Sequence, residues 1–191
     1  MAEFIFSEKN IFEEDSLDVL INPVNCKGVP KTEISKDFAF RFPRSQKNYV
    51  EMCKKEIFID DATGKKRKVK AFQPGDVLHY TDMDVTKIKS FQDESEELTN
   101  EDLQNFITNS VQDVIYFPVK NHWKRKSKID YVKTGVSGLK RIIDSEEMQD
   151  KINFIGIPKL SSELNNAEVV DIFKENFAHL NYTFIFFFSL E

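Results

Sequence analysis

The chain has 191 residues, 31% of them charged and 40% hydrophobic, with a formal net charge of -5 and a pI near 5.4. Its length suits one domain with a substantial core, and its acidic balance excludes a generic nucleic-acid coat, which needs a broad basic surface. Cys26 and Cys53 alone give neither a disulfide framework nor a zinc-ligand spacing, so a reduced, cytoplasmic setting with no metal and no cofactor is the expectation.

Residues 1–10 alternate apolar and polar side chains where a signal peptide would be uniformly apolar, and no apolar run is long enough to span a membrane. The 18 Phe, beside many Lys, Asn and Ile, fit the AT-rich coding of many phages and mobile elements.

In chain order, Phe4 and Phe6 alternate with polar neighbours and predict an outer strand. Leu17, Val19, Leu20 and Ile21 form a run apolar on both faces, the mark of an interior parallel strand. Pro23 cannot donate to a ladder, so the strand is expected to end there, with Asn22 and Asn25 in a loop at its carboxyl edge. Phe38 and Phe42, then Tyr49, Val50, Cys53 and Ile57, predict a helical segment broken in two by Pro43. Residues 58–72 read as an inserted hairpin around Asp60-Asp-Ala-Thr-Gly64. After a turn at Gln73-Pro-Gly-Asp76 and a strand over residues 77–80, residues 81–112 read as an acidic insertion carrying a helix that starts near Thr99.

Residues 114–118 are a buried strand expected to stop at Pro118, and residues 120–128 follow it with Lys120, His122, Trp123, Lys124, Arg125, Lys126 and Lys128. Dense positive charge around one aromatic plane at a strand's carboxyl end suits an anionic ligand carrying a flat ring; a solvated basic loop with Trp123 in the core reads equally from composition. Ile129, Val132, Val136, Leu139 and Ile143 then recur at helical spacing, residues 152–157 form another buried strand, residues 167–180 another helix, and residues 182–188 a closing strand. Strands alternating with helices predict one α/β domain, a three-layer α/β/α sandwich on a mixed, mostly parallel sheet.

Asn22-Pro-Val-Asn-Cys26 with Gly28-Val29, and Phe117-Pro-Val-Lys-Asn-His-Trp-Lys-Arg-Lys-Ser127, resemble the macrodomain family and within it the DarG-type subgroup, antitoxins that remove ADP-ribose from DNA. Gln73-Pro-Gly-Asp76 and Ile155-Gly-Ile-Pro158 extend the resemblance to everything but the two insertions. The resemblance implies ADP-ribose as ligand, Asn25 at the distal ribose, and Lys120 as the lysine of glycosidic cleavage. A lysine desolvated beside other cations is freed as an amine for such work. An ion pair between Lys120 and an acid of the insertion is the alternative.

The departures from the family pattern fall where diphosphate is held. Where the first loop of the family carries glycines this chain has Lys31 and Glu33, and in the second loop Ser161 and Glu163 replace two more, with Ser162 between them and Asn165 at the place of an acid in a related subgroup. Retaining a left-handed path there would cost roughly 1–2 kcal/mol per residue, and Glu33 and Glu163 would repel a pyrophosphate.

Candidate ligand contacts are therefore Asn22, Asn25, Gly28, Lys31, His122, Trp123, Ser161, Ser162 and Asn165, with Lys120 as the candidate catalytic group. Three functions fit: a remodelled macrodomain acting as a binding module for a protein, nucleic acid or altered nucleotide; an ADP-ribosyl hydrolase using Lys120; and a nucleic-acid binder stacking bases on Trp123. The protein partner would meet residues 81–112 and the nucleic acid residues 120–128.

Overall fold

The computed structural model describes residues 1–60, 63–88, 99–149 and 151–190. A six-stranded sheet runs in the order β1 (Glu3–Phe6), β8 (Thr183–Phe187), β7 (Phe154–Pro158), β2 (Val19–Asn25), β6 (Val111–Lys120) and β5 (Leu78–Met83). Every pairing is parallel except that of β5 with β6. The central strands are apolar on both faces because helices cover both: β2 is buried along all of its length.

Helices α4 (Ile129–Ile143) and α6 (Asn166–Phe177) cover one face, packing Val132, Val136, Leu139, Val170, Phe173 and Phe177 against Val19, Ile21, Ile115 and Phe117. Gly135 lets α4 lie directly on the sheet, since a Cβ there would stand 2.6 Å from the Phe117 ring. On the other face lie α1 (Glu33–Arg41) and α2 (Pro43–Lys54), contributing Phe38, Phe42, Tyr49 and Cys53 to a second cluster with Leu20, Val24, Val114 and Tyr116. Pro43 sits in the first turn of α2, where its missing N–H leaves no helical bond unmade.

Two sequence expectations are corrected by the sheet. β2 runs through Pro23 to Asn25, and β6 runs through Pro118 to Lys120 with Pro23 opposite Phe117 and Pro118 opposite Val24. The physical reason lies on the other side of β2, where β7 pairs only with Val19 and Leu20. Beyond Leu20 β2 has a ladder on one side alone, and β6 likewise beyond Tyr116, where its pairing with β5 ends, the setting in which proline is tolerated. Asn22 is thus a buried strand residue, not a loop residue, and the parting of β2 from β7 opens a gap at the carboxyl edge of the sheet.

The segment read as an acidic insertion is in part sheet. β5 reaches Met83, β6 begins at Val111, and α3 (Asn100–Ser110) leads into it. Asp82 and Asp84 are buried, accepting from Ser45 N at 2.6 Å and from Arg41 Nη1 at 3.0 Å, so this acidic pair ties β5 to α1 and α2. Residues 89–98, the middle of the proposed partner surface, lie outside the described residues. β3 (Glu56–Asp60) and β4 (Lys66–Lys70) pair antiparallel apart from the main sheet. A short α5 (Glu146–Gln149) precedes β7. Among the described residues no helix is long and apolar enough to cross a membrane, and no cluster of side chains suits a metal ion.

Candidate functional site

A cleft of about 530 Å³ opens where β2 and β7 part, lined by the ends of β2, β6 and β7 and by the loops that follow them. Ligands bind at such a place in open α/β sheets because strand ends and helix starts leave backbone groups unpaired there. Of the candidate residues, Asn22, Asn25, Lys31, Lys120, Trp123, Ser161 and Ser162 line the cleft. Gly28, His122 and Asn165 stand apart from its lining.

The first loop is organised by Asn25. Its Oδ1 accepts from Lys27 N at 2.9 Å and its Nδ2 donates to Val29 O at 2.7 Å, while the Tyr49 hydroxyl donates to its carbonyl. Both ends of the amide are thereby engaged within the loop. Gly28, at φ +73°, makes the turn and packs against Val50 of α2. From there the path differs from a glycine-rich cradle. No described residue other than glycine has positive φ; Thr32 caps α1, Glu33 is its first residue, and Ser35 closes the capping box. Lys31 and Glu33 therefore sit without backbone strain, because the loop runs straight into the capped first turn of α1.

Trp123 is half-buried on the cleft wall. Lys31 Nζ lies 5.0 Å and Lys124 Nζ 4.8 Å from its ring centroid, distances at which the ring's quadrupole attracts an ammonium. His122 stacks on the same ring at 5.5 Å, with its Nδ1 accepting from Lys124 N at 3.1 Å, which shapes the turn behind the tryptophan. Lys124, Arg125 and Lys126 are exposed.

Lys120 ends β6 with its side chain 20% exposed, and Nζ meets Glu163 Oε2 at 2.9 Å. The same oxygen accepts from Ser127 N at 2.6 Å, and Ser127 Oγ donates to Ser161 Oγ at 2.8 Å. The Ser127 N–H, followed by Lys120, holds the Glu163 carboxyl below the usual carboxylate range. Glu163 thus faces a lysine and an amide, not open cleft, and the acid that pairs with Lys120 comes from the second loop, not from residues 81–112. Asn165 accepts from Glu168 N at 3.1 Å as the N-cap of α6. Its side chain is occupied in starting a helix.

Asn22 is fully buried at the inner end, and among the described residues neither side-chain atom has a partner in hydrogen-bond geometry. Burial pushes the thiols up, Cys26 to about 12 and Cys53 to about 11, which leaves neither a nucleophile near neutrality. The lining residues that were not among the candidates include Tyr49, placed as core by its helical spacing; Lys159, another cation; and Lys9, which comes from the β1 side. Only Lys159 had a signal, its place beside the second loop's serines.

This arrangement, a mixed six-stranded sheet between helices with its cleft between the two loops, is the macrodomain fold. The chain is similar to the macrodomain of Thermus aquaticus DarG, with a TM-score of 0.66 at 20% identity over 99% of this chain and 100% of that one. The macrodomain of Mycobacterium tuberculosis DarG aligns equally, with a TM-score of 0.66 at 21% identity over 99% and 100%. Thermosipho africanus DarTG in complex with ADP-ribose gives 0.63 at 18% identity, over 96% of this chain and 41% of that longer one. No protein-family model and no curated protein sequence matches the chain.

Proposed function

We propose that the chain is a remodelled macrodomain that binds ADP-ribose or a related nucleotide and recognises its phosphates with lysine side chains in place of a backbone amide cradle. The observation that carries this reading is the cleft wall, where Lys31 and Trp123 stand together at 5.0 Å, with Lys120 at the end of β6 and Lys159 just past the end of β7 lining the same opening. A flat base stacks on the Trp123 ring as the lysines over it turn to the phosphates, and ammonium groups meet the diphosphate without positive φ at Lys31, Glu33, Ser161 or Glu163. The solved DarTG with bound ADP-ribose supports the choice of ligand. Trp123 is the chain's one tryptophan, so its fluorescence reports on the cleft directly. ADP-ribose should quench it in a saturable manner, and Lys31→Ala should weaken binding about fivefold, or ~1 kcal/mol. Quenching that does not saturate, or an affinity unmoved by Lys31→Ala, would count against the reading.

A second reading, an ADP-ribosyl hydrolase, is favoured by one observation: Lys120 Nζ sits within the cleft, mostly buried, with a carboxylate 2.9 Å away. To act as a nucleophile the amine must leave that ion pair and lose its proton. Turnover of ADP-ribosylated DNA should then vanish in Lys120→Ala. Turnover that survives the substitution would remove Lys120 from the chemistry.

A further inference from the structure

The side chain of Glu163 points to an anion subsite that its own carboxylate now fills. Oε2 is held by two donors from different parts of the chain, Ser127 N at 2.6 Å and Lys120 Nζ at 2.9 Å. Beside them Ser127 Oγ and Ser161 Oγ are joined at 2.8 Å, and Ser161 Oγ accepts from Glu163 N at 3.2 Å. Ser127 is buried, while the Glu163 side chain is 35% exposed on the following loop. One donor ends β6 and the other lies in the loop before α4, while the acceptor lies in the loop after β7.

An amide N–H and an ammonium converging on one oxygen form the donor pair that a phosphoryl oxygen takes, and charge-assisted bonds of this length are the strong ones. Lys120 and Ser161 also line the cleft. We infer that Lys120 Nζ, Ser127 N–H and the Ser127–Ser161 hydroxyls form a phosphoryl subsite of the cleft, and that Glu163 occupies it as an internal substitute which the ligand must displace. This inference rests on the nucleotide reading above and adds to it the place of one phosphoryl group. It makes Glu163 a determinant of selectivity, because a ligand gains the subsite only if its own anion outcompetes a tethered carboxylate.

The inference predicts a gain on removing a group, the opposite of what a loop-supporting residue would show. Glu163→Gln keeps an acceptor for Ser127 N but carries no charge; Glu163→Ala vacates the position altogether. Trp123 fluorescence titrations with inorganic pyrophosphate, and separately with ADP-ribose, should show both variants binding about tenfold more tightly than the parent. The gain should disappear when Lys120→Ala is combined with Glu163→Ala. Tighter pyrophosphate binding without ADP-ribose binding in any variant would uphold the subsite and remove the proposed nucleotide ligand. Equal or weaker pyrophosphate binding in both variants, including no binding at all, would overturn the subsite whatever ADP-ribose does.

Discussion

Asn25, a candidate ligand contact, and Glu163, expected to repel a pyrophosphate, are both engaged by the protein itself. The Asn25 amide closes the loop over residues 25–29 through bonds of 2.9 and 2.7 Å. Asn25→Ala leaves a part-buried N–H and carbonyl without those partners, and should lower stability by about 1 kcal/mol in urea unfolding. A smaller loss would mean the loop holds itself. Glu163 makes a pH-dependent contribution of known sign: its carboxyl is held below the unfolded value, so the stabilisation is present above the ordinary carboxylate range and is lost as pH falls through the lower folded value. The urea midpoint of Glu163→Gln should therefore approach that of the parent on acidification, and a constant gap down to strongly acidic pH would contradict the pairing. Lys120 and Trp123, which line the cleft, were legible because charge beside an aromatic is a local signal, and Lys31 through the resemblance of its loop. The direction of Glu163 was not, since it depends on how two loops distant in sequence lie side by side.

At the scale of elements, helices were the easier part. Ile129 to Ile143 recur on one face and α4 follows that pattern, and Pro43 marks the join of α1 and α2 because proline fits a first helical turn. Strand ends were misread at Pro23 and Pro118, since a lost ladder bond matters only where a neighbouring strand is present to make it. The packing of α4 offers a direct test. Gly135→Ala would push a methyl to 2.6 Å from Phe117, and should cost about 1–3 kcal/mol by thermal or chemical unfolding despite the better helix propensity of alanine. A neutral or stabilised variant would show that the helix has room to shift. Asn165→Ala removes the cap of α6 and should cost about 1 kcal/mol without moving nucleotide affinity; a change in affinity instead would return Asn165 to the site.

For the whole molecule, the layered architecture follows from strands apolar on both faces, and this much was visible in composition and periodicity. The cleft was not, because it arises where β7 leaves β2 after Leu20, a feature of register. Its charge is also a property of the assembled chain: the protein is acidic overall, yet Lys9, Lys31, Lys120 and Lys159 line one opening against Glu33 as the one lining carboxylate among the described residues. Attraction by side-chain ammonium groups is screened by salt, so ligand affinity should fall as ionic strength rises from low to moderate. The most direct measurement is a calorimetric titration of the chain with ADP-ribose at low salt, with millimolar ligand in reach. Saturable heat with a micromolar Kd is the predicted result. No heat at millimolar ADP-ribose would mean that lysine side chains do not stand in for the lost amide cradle, and would contradict the account.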